Sequence, residues 1–206
     1  MREKIILFFT TFFVLMLFGS LVFAQSTTYI VKSSDTMWKI AVKYQVGISE
    51  ITSLNPSIKN AALIYPGQKI LIPDLSSVQT QENEVVRLVN VQRVNNGLQI
   101  LKINWQLSRV ARYKSQDMVN KGYFSHTSPT YGSPFAMMEN FGIKFSAAGE
   151  NIAEGQRTPA EVMNAWMNSP GHRANILSPS YLEIGVGLAK DKNGVCYWTQ
   201  EFIKPL

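Results

Sequence analysis

The chain has one cysteine, Cys196, and two histidines, His126 and His172, among 206 residues. A lone cysteine excludes an internal disulfide, so the fold must be held by apolar cores. Cys196 alternates with Val195 and Tyr197 and shares a strand face with Trp198. No cation or helix start stands beside it, so the thiol reads as buried and inert. No H-E-x-x-H helix and no G-x-S-x-G elbow occurs, which removes the commonest zinc-protease and serine-hydrolase signatures. Arginine-rich helices, aromatic RNA-binding motifs, repeats and low-complexity tracts are missing too. Their absence argues against a nucleic-acid partner despite a net charge of +6.

Long apolar runs are scarce, and the single one opens the chain. Arg2 and Lys4 precede it, positions 5–18 are almost wholly apolar, and Val22-Phe23-Ala24 offers a small-residue exit. This is the order of a secretory signal peptide over 1–24, cleaved after Ala24. A retained anchor is the alternative, because the run approaches the ~20 residues that span a bilayer. Cleavage removes Arg2, Glu3 and Lys4, taking the net charge from +6 to +5. A basic exported monomer of this kind is drawn to an anionic envelope and has no membrane contact once the signal is gone.

Positions 28–73 have the punctuation of a small β-α-α-β unit. Tyr29 and Val31 alternate with Ile30, and Asp35 is placed to cap a helix whose Met37, Ile40, Ala41 and Tyr44 share one face. Ser49 is placed to cap a second helix carrying Ile51 and Leu54, which Asn55-Pro56 stops. Pro66-Gly67 then turns the chain into a closing strand that ends at Pro73. The runs Asp35-Thr36-Met37-Trp38-Lys39-Ile40-Ala41, Leu54-Asn55-Pro56 and Tyr65-Pro66-Gly67-Gln68 resemble the LysM family. That resemblance implies binding of peptidoglycan or another N-acetylglucosamine-containing glycan. It places the ligand between a loop of Ser33, Ser34, Asp35, Thr36 and Met37 and a loop of Asn55, Pro56, Ser57, Ile58 and Asn60. Met37 and Ile58 are expected to pack on the sugar face. Ser34 replaces the family's usual glycine, so the loop either avoids φ > 0 there or is strained.

Positions 74–82 are polar and aperiodic and read as a flexible linker to a second domain over 83–206. Helix signals come first: Val85, Leu88 and Val89 on one face, Asn104 as a cap, Gly122 as a stop, then Ser133-Pro134 and the capping box Thr158-Pro159-Ala160-Glu161. The period then changes to alternation at Ile184, Val186 and Leu188, and Asn193-Gly194 turns the chain into a return strand. Helices followed by an antiparallel hairpin predict an α+β domain.

His126, Glu150 and His172 lie in turn-like segments beside glycine or proline, and could converge on one site. Tyr123-Phe124-Ser125-His126, Gly149-Glu150-Asn151-Ile152-Ala153, Ser169-Pro170-Gly171-His172-Arg173-Ala174-Asn175 and Ile184-Gly185-Val186-Gly187 resemble the bacterial branch of the CAP superfamily, the cysteine-rich secretory, antigen 5 and pathogenesis-related proteins. The resemblance implies an α-β-α sandwich with a shallow groove holding two histidines and two glutamates. His126, Glu150 and His172 match three of the four. The fourth place, three residues after Trp166, is Ser169, while Glu161 lies about 80° around the same helix and serves as the N3 member of its capping box. Three uses of the groove stay open: a polar binding groove, with or without zinc or another divalent ion on His126, Glu150 and His172; a hydrolase acting on peptidoglycan or protein; and a carrier of lipid or another small hydrophobe. The expected setting is the cell wall of the secreting bacterium, with a spore envelope as a narrower case.

Overall fold

The computed structural model describes residues 26–206, so the signal segment expected over 1–24 lies outside the described residues. The N-terminal module pairs β1 (Ser26–Ile30) antiparallel with β2 (Lys69–Pro73), in register from Ser26↔Pro73 to Ile30↔Lys69. Two helices, α1 (Met37–Tyr44) and α2 (Ile48–Leu54), close over it and bury Val31, Met37, Ile40, Val46, Ile51, Ile70 and Ile72. Both expected caps are displaced. Thr36 caps α1 by accepting from Lys39 N at 3.2 Å, and Asp35 instead accepts from Tyr29 OH at 2.6 Å and Lys32 N at 2.8 Å. Gly47, not Ser49, stands at the start of α2.

The expected linker is helical. Helix α3 spans Ser76–Asn95, starting three residues after β2 ends. Its polar N-terminal residues form a solvated face, but every third or fourth position packs inward: Val78 against the main core, then the buried Glu82, Val85 and Val86. Composition alone therefore misread 74–82 as flexible.

A four-stranded sheet of order β3-β5-β6-β4 forms the second domain, from β3 (Lys102–Ile103), β4 (Phe145–Glu154), β5 (Glu183–Lys190) and β6 (Cys196–Pro205). β3 runs parallel to β5, and the remaining pairs are antiparallel. On one face, α3, α6 (Pro159–Met167) and α7 (Pro170–Ile176) enclose a core of Val85, Val162, Trp166, Ile184, Val186, Trp198 and Phe202. On the other face, α4 (Trp105–Lys121) and α5 (Pro134–Asn140) cover Leu107, Val110, Met137, Met138 and Ile203. The result is the α-β-α sandwich, and with the first module the chain is α+β. Asn104, Ser133 and Thr158 cap α4, α5 and α6 through their side chains, and Gly122 ends α4 in the left-handed region. Cys196 is buried in the larger core beside Trp198, with its thiol pushed up by burial.

Ile184, Val186 and Leu188 point into the larger core, so Gly185 and Gly187 face α4. A Cβ at Gly185 would lie 2.3 Å from the Leu107 carbonyl carbon, and one at Gly187 would lie 2.2 Å from that of Ala111. The glycines let the helix backbone rest on the strand.

Trp166 is 1% exposed, and its indole donates to Ile152 O at 3.2 Å. Trp166→Ala should lower stability by ~3–5 kcal/mol, read as a shift in denaturant midpoint. A midpoint equal to the parent's would contradict the packing described for this ring.

Candidate functional site

Strand β4 is an edge strand, so side chains from both helical layers reach around it. His126 reaches Glu150 from the loop after α4, while His172 stands on α7 in the other helical layer. Glu150 is in the middle of β4, not in a turn, and His172 is on the first turn of α7. The segment Phe145–Glu154 disguises its strand because it is rich in alanine and glycine. Tertiary contact explains the composition: a Cβ at Gly149 would meet Tyr181 OH at 2.5 Å.

His126 sits on the loop after α4, and that loop is tied to the helix by one carboxylate. Asp117 accepts from Tyr123 OH at 2.8 Å, Ser128 Oγ at 2.6 Å and Thr130 Oγ1 at 2.6 Å. These hydrogen bonds hold the Asp117 carboxyl below its usual range against the opposing effect of burial. The buried Lys114 ammonium, one turn earlier, donates to His126 O. The loop is fixed on both sides of the histidine.

The His126 ring, 54% exposed, pairs through Nδ1 with Oε1 of the buried Glu150 at 2.7 Å, leaving Nε2 as its free nitrogen. The other Glu150 oxygen faces Lys114 Nζ at 3.9 Å. Directly across the ladder from Glu150 stands Glu201, fully buried and with neither oxygen hydrogen-bonded. Burial, and then the charge of Glu150, raise the Glu201 pKa well above the carboxylate range. Lys114 is pushed the other way by burial, an effect opposed by the charges of Glu150, Glu201 and Asp117. His172 is held below the usual histidine value by burial and by the nearness of His126.

A network of amides fastens α7 to β4. Asn151 Nδ2 donates to His172 O at 3.1 Å and Gln200 Oε1 at 3.0 Å, and Asn175 Nδ2 donates to Asn151 Oδ1 at 2.9 Å and Glu150 O at 3.2 Å. Beside His172 opens a groove of about 560 Å³ walled by Phe124, Ile152, Gln156, Trp166 and Ser169. Glu161 stays on the outer surface, accepting from Arg157 N at 2.8 Å, while Thr158 Oγ1 accepts from Glu161 N at 3.2 Å. It serves the helix start and not the groove.

The geometry does not suit zinc or another divalent ion. Among the described residues, no three His, Cys, Asp or Glu side chains converge closely enough to hold one. The Glu150 oxygens already face an imidazole and an ammonium, and Lys114 supplies the positive charge that a metal would bring. The His126, Glu150 and His172 set expected to hold a metal is not drawn together among the described residues. Lys114, Asp117 and Glu201 are the residues that sequence reasoning missed.

In the first module, Ser33, Ser34, Thr36, Pro56, Ser57 and Asn60 are exposed on the two expected loops, while Asp35 and Ile58 are half-buried. Met37 and Asn55 are different. Met37 is buried in the module core, so it has no sugar face to offer. Asn55 joins α2 to β2, exchanging two hydrogen bonds with the Leu71 backbone at 2.7 and 2.9 Å. Among the described residues Gln45 is the only non-glycine at positive φ, so the Ser34 loop avoids the strain that serine would bring.

Glu201 generates a pH prediction. A carboxyl raised in the folded state contributes stability that is present below its unfolded pKa and lost as pH rises through the folded one. In that window stability should fall by up to ~1.4 kcal/mol per pH unit in the parent. Glu201→Gln should match the parent at low pH and melt higher above neutrality, as followed by thermal denaturation against pH. Parallel profiles for the two proteins would show that Glu201 is ionised in the fold.

Known proteins agree with this architecture. Residues 86–202 match the model of the cysteine-rich secretory protein family, CAP, and residues 29–73 match the LysM domain. The chain is 56% identical over 128 residues to the uncharacterized protein YkwD of Bacillus subtilis, covering 62% of this chain and 49% of YkwD. Over 51 residues it is 46% identical to a probable N-acetylmuramidase of Lactococcus lactis, covering 25% of this chain and 11% of that protein. An extracellular SCP-domain protein of Bacillus anthracis superposes with a TM-score of 0.58 at 30% identity, covering 68% of this chain and 47% of the other. The chain thus spans about half of YkwD and of the Bacillus anthracis structure. With the sandwich, the paired His126 and Glu150 and the matched segments in hand, the chain belongs to the cysteine-rich secretory protein (CAP) family and carries a LysM domain ahead of its CAP domain.

Proposed function

We propose that this is a secreted, cell-wall-associated protein whose LysM domain binds peptidoglycan through N-acetylglucosamine and so tethers the CAP groove to the wall. The observation that carries the reading is the pair of polar loops, Ser33 to Thr36 and Pro56 to Asn60, on which Ser33, Ser34, Thr36, Pro56, Ser57 and Asn60 are exposed. Short hydroxyl and amide side chains on such loops suit the hydroxyl and N-acetyl groups of the sugar. The match of a quarter of the chain to a probable N-acetylmuramidase supports the same ligand class.

For the groove, one observation favours a hydrolytic reading over a passive one. A half-exposed imidazole whose Nδ1 is fixed by a buried carboxylate presents Nε2 as a proton acceptor, the arrangement of a general base. In this reading Glu150 orients the ring, Lys114 faces the other Glu150 oxygen, and water is the nucleophile.

The chain without residues 1–24 should pellet with purified peptidoglycan, and Ser57→Trp, which crowds the second loop, should leave most of the protein in the supernatant. Full pelleting of the variant would move the glycan site elsewhere. On wall glycan or peptide substrates, His126→Ala should lower any turnover by about 10²–10⁴-fold with the melting temperature retained. Turnover that survives this change would remove the general base and leave a binding groove.

A further inference from the structure

Where the two domains meet, a cleft of about 250 Å³ opens between α1 and the start of α4, lined by Trp38, Ser49, Trp105, Gln106, Arg109 and Phe141. Trp38 is 52% exposed, although Met37, Ile40 and Ala41 of the same helix are buried. Its indole stands 6.0 Å from that of Trp105 with the planes tilted by 48°, so the rings form a wedge and not a stack. Neither closes over the other. The polar wall is pre-set. Arg109 pairs with Glu50 at 2.6 and 3.1 Å and with Ser49 Oγ at 3.1 Å, and its guanidinium lies over the Tyr113 and Phe141 rings. Gln106 is exposed, and among the described residues its amide makes no hydrogen bond.

We propose that this cleft binds one neutral pyranose of an N-acetylated wall glycan, with Trp38 and Trp105 as stacking faces and Gln106 as a hydrogen-bonding group. Three observations select that ligand class. The exposed Trp38 indole and the half-buried Trp105 indole offer flat apolar faces that match the C–H face of a sugar ring, and the amide beside them matches its hydroxyl or N-acetyl groups. Glu50 neutralises Arg109, so the cleft has no unpaired charge to recruit a phosphate or carboxylate. Its volume suits a single ring and not a peptide. The site is separate from the Ser33–Asn60 loops and would let one glycan-bearing surface engage both domains. It rests on the wall-glycan reading given above.

The test is calorimetry of the chain without residues 1–24 against a soluble N-acetylglucosamine tetrasaccharide, alongside peptidoglycan pelleting. Trp105→Ala should weaken the cleft's binding step about tenfold and Gln106→Ala about threefold, whereas Trp105→Phe should stay within about twofold of the parent. Gln106 is on the surface, so Q106A keeps the fold and decides the matter by itself if W105A is unstable. A parent that binds the saccharide while Q106A and every folded Trp105 variant match it overturns the cleft proposal alone. A parent that neither binds the saccharide nor pellets overturns the wall-glycan reading, and this proposal with it.

Discussion

The contact between the α4 backbone and β5 governs the rest of the CAP domain. Gly185 and Gly187 remove the side chains that would hold the helix away, and any Cβ there would overlap main-chain atoms, which cannot swing aside. At this distance the helix and strand exchange hydrogen bonds directly. Val186 N donates to Ser108 Oγ at 3.3 Å, and Ser115 Oγ donates to Gly187 O at 3.2 Å beside Thr199 Oγ1 at 2.8 Å. These bonds fix rotation and register together. Lys114 is thereby delivered beneath Glu150 and Asp117 beneath the His126 loop. A substituted glycine would displace the site before it touched any residue of the groove.

What the close packing delivers is an unusual charge balance in a dry layer. Lys114, Glu150 and Glu201 are buried together, and a single ammonium offsets a single carboxylate. The second carboxylate is relieved by holding its proton, which is the direction in which burial and Glu150 both push Glu201. Loss of one partner from a buried pair typically costs about 3–5 kcal/mol, because the other charge is stranded. The His126–Glu150 contact is therefore supported by residues that never reach solvent. Its preorganisation comes from the α4 side of the sheet.

Features set by local chemistry were legible in the sequence. Asn104, Gly122, Ser133 and Thr158 mark helix ends through their own backbone or side-chain geometry, and the structure uses all four. The face of Val162 and Trp166 was readable from helical spacing, and the hairpin of β5 and β6 from alternation. Features set by distant contacts were not. Gly149 and its alanine neighbours weaken the strand signal of β4 because Tyr181 needs the space. Glu201 looks like the solvated member of an alternating strand, and only a helix on that second face makes it interior. Asp35 carries the helix-capping signature but is drawn to the Tyr29 hydroxyl, whose own pKa rises to about 12. The expected metal set was drawn from ligand types alone, which says nothing of the lysine that faces Glu150.

The same helix that organises the groove also binds the first domain. Arg112 grips the buried Glu82 at 2.7 Å and reaches Gln45 O at 3.4 Å, while Arg109, one turn earlier, pairs with Glu50. Glu82 in turn accepts from Leu188 N at 3.1 Å, so the start of α3 is fastened to the sheet as well as to α4. A flexible linker would let the groove sample every direction around its anchor. A helix beginning at Ser76, clamped to α4 by Arg112 while Arg109 holds α2, removes that freedom. The position of the LysM domain therefore fixes the direction in which His126 faces. α4 is thus the element that touches both the first module and the His126 loop.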